Sequence, residues 1–203
     1  MGFTTSTRVR RGIGLCIALA SLTFFMVRAQ ARQRPETRTI EITTKSATSS
    51  FWNANFSFDG KGMANQAIYS GDSSMGPFTG EGMSQSAFDG KACVLNGIQG
   101  QELSLVGHFA STKYQRTGDL LFERGKPGDL ISCLLPDLTF EERGTVDIVG
   151  GTGAFSGAHG TEAVLQRGQI KAAGVGVNPD LSPAFAAFGS SQGTFNPTFT
   201  VPK

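Results

Sequence analysis

Val146-Asp147-Ile148-Val149-Gly150-Gly151-Thr152-Gly153-Ala154-Phe155-Ser156-Gly157-Ala158-His159-Gly160 places five glycines in eleven residues at the end of a β-branched run. β-Branched side chains favour extended backbone, and glycine alone takes positive φ or a close backbone approach without a Cβ penalty. The run therefore predicts a strand, a tight turn and a second strand, with Gly150, Gly151, Gly153, Gly157 and Gly160 as structural turn residues. It is not a dinucleotide or phosphate loop. Gly151-Thr152-Gly153 begins like G-x-G-x-x-G, but position 156 is serine, no helix pattern follows, and the lysine of a P-loop is missing.

Outward from this hairpin the chain keeps the same grammar. Thr39 to Thr44 and Ala54 to Phe58 alternate with period two, the latter ending at the turn pair Asp59-Gly60. Leu103, Leu105 and Phe109 share one predicted face, and Leu120 and Phe122 alternate against Asp119 and Glu123. Strands over 138–149 and 161–165 flank the turn, and 193–201 closes the chain. Short strands punctuated by Gly, Asp, Asn and Pro, with no helical apolar stripe, predict an all-β protein. Of sandwich and barrel, the barrel is favoured because closure leaves no exposed strand edge.

The glycine hairpin resembles that of allene oxide cyclases, plant dirigent proteins and many secreted bacterial barrels, whose pattern is roughly G-G-[ST]-G-x-[FY]-x-G-x-x-G. Gly76-Pro77-Phe78-Thr79-Gly80-Glu81-Gly82 is similar to an early segment of the secreted bacterial members. The resemblance spans about residues 55–165 and implies a single closed antiparallel up-and-down β-barrel of about eight strands. Residues 32–50 are then an N-terminal extension and first strand, and 51–203 the barrel domain. Asn178-Pro179-Asp180 and Ser182-Pro183 lie in a stretch expected as a long loop at 167–193.

The opening residues form a separate unit. Arg8, Arg10 and Arg11 precede an apolar stretch from Ile13 to Val27, and Ala29-Gln30-Ala31 offers a small-x-small cleavage site. That order predicts a signal peptide over 1–31, cleaved after Ala31, with a secreted or periplasmic product and no stable membrane span after cleavage. Its four arginines and lack of acids take the formal net charge from +2 for the full chain to −2 for the mature one. No cluster of Lys and Arg remains, which excludes a nucleic-acid partner on electrostatic grounds. Cleavage also removes Cys16 and leaves Cys93 and Cys133, expected as a disulfide in an oxidising compartment; the alternative is two buried thiols.

Chemistry-bearing residues are few. The two histidines, His108 and His159, have no metal-ligand spacing, so no metal and no cofactor is expected. If the Leu103/Leu105 face fills the core, His108 points to solvent; with the opposite assignment it lines a cavity. Asp119, Glu123, Glu141, Glu142 and Asp147 lie on predicted strands. A carboxyl turned into an apolar barrel would have a raised pKa and could act as acid or base, whereas most such acids face water. The ligand-binding candidates are His108, Tyr69, Tyr114, Asp119 and Glu123. No catalytic residue transfers from the resemblance, because the matching segment is the turn rather than a pocket strand.

Three functions follow. The first is an exported, non-catalytic barrel that either holds a small apolar molecule in its lumen or engages another surface. The second is an isomerase or cyclase of the allene oxide cyclase type, which the resemblance implies for an apolar substrate. The third is a structural, envelope-associated protein. Nothing in the sequence specifies an oligomer contact.

Overall fold

The computed structural model describes residues 36–53, 62–177 and 183–203. The expected signal peptide, the strand at 54–58, the Asp59-Gly60 turn and Asn178-Pro179-Asp180 lie outside the described residues. Ten strands run in chain order: β1 (Thr37–Glu41), β2 (Thr44–Asn53), β3 (Gly62–Ser73), β4 (Gly76–Leu95), β5 (Ile98–Tyr114), β6 (Leu120–Gly125), β7 (Leu130–Leu134), β8 (Thr139–Gly151), β9 (His159–Val177) and β10 (Pro183–Pro202). All pairings are antiparallel, and they close a ring of eight staves in sequence order. Two staves are composite: β1 and β2 break at Ile42–Thr43, and β6 and β7 break at 126–129. β10 closes the ring by pairing β9 on one side and β1 and β2 on the other. The all-β expectation and the eight-stave ring hold.

Alternation sets the two faces. Along the first stave Ile42, Thr44, Ser46 and Thr48 are buried, while Thr43, Lys45, Ala47 and Ser49 are exposed. The same period runs through Leu121, Glu123 and Gly125 on β6, and through Glu162 and Val164 on β9. On β6 it is therefore Leu121, not Leu120 and Phe122, that shares the inner face with the core.

The glycine hairpin does more than reverse the chain. After β8 a 3-10 turn over Gly153–Phe155 drives Phe155 into the end of the barrel, where it is fully buried. Its ring meets Tyr114 and Phe199 edge-on, with centroids 5.2 and 5.6 Å away. Ile42, Tyr69, Phe78, Leu121 and Ile148 complete this aromatic plug. Gly153 has φ +52°, and a Cβ there would meet the Asp119 carboxylate, whose Oδ2 accepts the Ala154 N–H at 3.2 Å. A second layer, Phe140, Ile170 and Ala187, fills the lumen away from the plug. A third cluster, Leu105, Leu130, Val146 and Val164, packs on the wall between them.

Three expectations are corrected. Residues 167–177 and 183–193 are strand, pairing through Pro183↔Val177 to Gly193↔Gln166, so the long loop at 167–193 is instead a hairpin of two long strands. Phe109 does not share a face with Leu103 and Leu105. A bulge opposite Gln85 and Ser86 inserts Val106 into β5, flipping the parity, so Phe109 is 58% exposed. For the same reason His108 joins the inner face although the leucines also fill it. The expected disulfide, by contrast, is present: Cys93 and Cys133 are bonded with Cα atoms 5.8 Å apart, joining β4 to β7.

Truncating Phe155 to alanine removes a fully enclosed ring and is expected to cost about 3–5 kcal/mol in urea unfolding. Phe109→Ala removes a solvent-facing ring and is expected to cost less than about 0.5 kcal/mol. Equal losses for the two variants would contradict the bulge-shifted register.

Candidate functional site

The middle of the lumen is where the apolar filling stops. Three successive inner rows cross β3, β4 and β5: Tyr69, Gly80 and Thr112; then Ala67, Gly82 and Ala110; then Asn65, Ser84 and His108. The central row carries almost no side chain, and it continues into Glu123 on β6 through the Ala110↔Glu123 pair. Small residues on one wall leave a cavity of about 40 Å³. A water needs roughly 10–15 Å³ measured this way, so the space suits a few waters or a very small organic group. Drug-sized sites run to about 300 Å³ and above.

The facing wall is acidic. Glu123, Glu142 and Glu162 line the cavity with Gln166, and no lysine or arginine is among the described lining residues. Glu123 and Glu162 are 2% and 3% exposed. The Tyr69 hydroxyl lies 2.9 Å from Thr112 Oγ1, which donates to Glu123 Oε1 at 2.9 Å. With the threonine proton committed to the carboxylate, the tyrosine donates to the threonine. Glu162, protonated, donates to Glu123 from the other side. The Ser132 hydroxyl donates to Glu142 Oε2 at 2.9 Å.

Burial governs the titration of every one of these groups. Glu123 is pushed up to about 7 by loss of hydration, with the Thr112 and Glu162 hydrogen bonds pulling it partly back. Glu162 is raised well above the usual carboxyl range by burial, then by the Glu123 charge and the hydrogen bond that keeps its proton. Glu142 is raised by burial against the Ser132 hydrogen bond. His108 is lowered to about 4 by burial, so the imidazole is neutral near pH 7. Tyr69 is raised, first by burial and then by the Glu123 charge.

Of the sequence candidates, the structure brings His108, Tyr69 and Glu123 to this cavity, together with Glu142 of the strand carboxylates. Tyr114 belongs to the aromatic plug, and Asp119 caps the 3-10 turn. Glu141 pairs outward with Arg167, and Asp147 pairs with Lys126. His159 is exposed. Sequence reasoning missed Glu162, which period-two counting from Gly160 through Val164 could have found. It also missed Thr48 and Asn65, whose buried Oγ1 and Oδ1 have no hydrogen-bond partner. Among the described residues no group of three His, Cys, Asp or Glu side chains is placed to hold a metal ion. No family model and no curated protein matches this chain.

Raised carboxyl pKa values make stability fall with pH. The folded state holds protons that the unfolded chain releases near its ordinary value of about 4.5, so stability drops as pH climbs towards the folded values. His108 works oppositely, but only between about 4 and 6.5. Above pH 6.5 the carboxyls act alone. Through Glu123 alone, raising pH from 6.5 to 8.5 is expected to cost about 1 kcal/mol, or roughly 2–4 °C in Tm, and the other raised carboxyls add to this loss. Glu162→Gln keeps the shape, removes one acid and is expected to flatten this slope in a thermal melt; an unchanged slope would exclude the pair as its source.

Proposed function

We propose that this chain is an exported β-barrel protein of the allene oxide cyclase and dirigent-like type that holds a small molecule in its lumen without transforming it. The disulfide is consistent with an oxidising compartment, and among the described residues no helix is long and apolar enough to cross a membrane. Export itself rests on the basic and apolar opening residues. The family assignment rests on the glycine hairpin together with the eight-stave ring.

One observation carries the binding reading: a void walled by Ala67, Gly82 and Ala110 faces buried polar atoms that lack partners, Thr48 Oγ1 and Asn65 Oδ1. A buried polar atom without a partner costs about 1–3 kcal/mol, and an occupant that hydrogen-bonds to it recovers that loss. The sequence favoured an apolar ligand; these walls favour one that is small and polar.

A second reading, an isomerase or cyclase, draws on the Glu123–Glu162 pair. Two carboxyls in one dry site, one ionising near neutrality and one held protonated, supply a base and an acid at working pH. The Tyr69–Thr112–Glu123 chain would orient the base.

Native mass spectrometry of the mature protein purified from its host is expected to show a bound small molecule that is absent from an Ala110→Leu variant with a filled cavity. A mature protein without adduct, together with no chemical-shift change on addition of small polar probes, would overturn the binding reading. Turnover of an added ligand, abolished by Glu123→Gln, would favour the second.

A further inference from the structure

We propose that the lumen cavity is a receptor for a small primary alkylammonium group, seated at the Glu123–Glu162 pair with an N–H donated to Asn65 Oδ1. The inference rests on the binding reading above and specifies its ligand class. Four observations lead to it.

The first is the sign of the site. Three carboxyls line one void, two of them, Glu123 and Glu162, close enough to share a proton, and neither lysine nor arginine is among the described residues that line it. A buried anion without a counter-charge is costly, and these carboxyls meet that cost by keeping protons.

The second is the orphaned atoms, which are independent of the acids. Thr48 is 6% exposed, lines the cavity, and its Oγ1 has no partner. Asn65 Oδ1, buried beside the same void, also has none and can only accept. An occupant that satisfies a carbonyl oxygen and carboxylates together must bring several N–H or O–H donors and no surplus acceptors. A primary ammonium brings three donors and one positive charge.

The third is the internal wiring. Glu162 already donates a proton into Glu123, while Thr112 holds that carboxylate from the side. An ammonium N–H lying between the two carboxyls makes the same bridge with a full positive charge, releasing the shared proton to solvent.

The fourth is size. The 40 Å³ void admits an ammonium with one or two carbons and excludes a larger apolar body. Gly82 guards the space: a Cβ there would meet the Ala110 Cβ at 3.0 Å and His108 Cε1 at 3.4 Å.

The titratable groups that line the cavity are Tyr69 from β3, His108 from β5, Glu123 from β6, Glu142 from β8 and Glu162 from β9, and Tyr114 of the plug feels the charges of Glu123 and Glu162. Near and below neutrality only the three carboxyls and His108 change charge, and protonating any of them opposes a cation. Affinity therefore rises with pH until the amine itself begins to deprotonate.

The test is an amide chemical-shift titration of the mature protein with ethylammonium, and with ethanol, acetate and sodium as neutral, anionic and inorganic comparators. A ligand of three heavy atoms is held to Kd on the order of 1 mM or weaker. Ethylammonium is expected to saturate the amides around Thr48, Asn65, Gly82 and Ala110 at pH 7.5, and to bind at least about tenfold more weakly at pH 5.5. Glu162→Gln is expected to weaken binding about tenfold or more and to reduce that pH dependence; if it does not fold, Glu123→Gln serves for the affinity loss. Ala110→Leu is expected to abolish binding and so to place the site in the lumen.

Ethanol saturating the same amides as tightly as ethylammonium would overturn the ammonium inference and leave the lumen reading standing. Sodium matching ethylammonium would likewise overturn the organic class. If no probe moves these amides, both readings fall, and binding unaffected by the glutamine variant that folds excludes the carboxyls as the seat.

Discussion

Everything enclosed by this molecule depends on the seam where β10 meets the first stave. The ladder there is interrupted: β10 pairs β1 from Thr198 to Pro202 and β2 from Ala186 to Gly193, leaving Thr194 to Pro197 unpaired on that side. Pro197 has no N–H to contribute. Side chains stitch the gap. Asn196 Oδ1 accepts the Thr44 N–H at 2.9 Å, Thr44 Oγ1 bonds both the N–H and the C=O of Phe195 at 2.7 Å, and the Ser46 hydroxyl donates to Gly193 O at 3.2 Å. Pro197 O in turn accepts the Ile42 N–H. The break between β1 and β2 is thus the point where the sheet bends to close, with short polar side chains replacing ladder bonds. Gly193 lets strand cross strand closely on the other flank, since a Cβ there would fall 2.0 Å from Leu165 O.

Closure then imposes a problem that the filling answers in layers. A ring of eight staves has an interior that side chains can just fill, and at the plugged end they do. Phe155, Phe199, Tyr114, Phe78 and Tyr69 form a continuous chain of ring contacts through Tyr114–Phe78 and Phe78–Tyr69. Tyr69 sits at the boundary, its ring in the plug and its hydroxyl reaching Thr112 towards the carboxyls. Gly80 makes that placement possible by leaving the space its own side chain would take from the ring. The apolar layers supply stability, and the polar middle draws on it. Buried acids weaken a fold unless paired, so three of them between apolar layers, beside a wall of Ala and Gly, mark a place where packing yields to something else.

How much of this was legible follows the physics of each signal. Period-two alternation survives in β2 and β8 because each has one wet and one dry face, so the all-β class could be read directly. The glycine hairpin was legible as a turn, but the role of Phe155 was not, because a plug is defined by partners such as Phe199 and Tyr114 far along the chain. The 167–193 region was misread because Gly168, Gly174, Gly176 and the cluster of Asn178, Pro179, Ser182 and Pro183 resemble loop chemistry. In a tightly coiled hairpin glycines instead admit the neighbouring backbone, as at Gly168, where a Cβ would lie 2.2 Å from Ser190 O. The site was half legible. His108 and Phe109 exchanged faces through a single inserted residue, Val106, and a bulge leaves no mark in local composition. Glu162 sits in an ordinary alternating strand, and only the ring brings it to Glu123.

Whether the lumen holds or transforms its ligand turns on where one proton lies. Glu123 accepts from Thr112 on one side and from Glu162 on the other, so both carboxyls are engaged with protein partners. A general base must present a free lone pair to its substrate, and a general acid must present a proton not already donated elsewhere. Here the pair is satisfied internally, and the unsatisfied atoms are Thr48 Oγ1 and Asn65 Oδ1, neither of which can take up or release a proton at ordinary pH. Catalysis would require the ligand to break the Glu162–Glu123 hydrogen bond in order to use it. Binding as proposed displaces that proton too, but it asks nothing further of the carboxylates, and the partners it brings to Thr48 Oγ1 and Asn65 Oδ1 set the binding proposal ahead of the catalytic one.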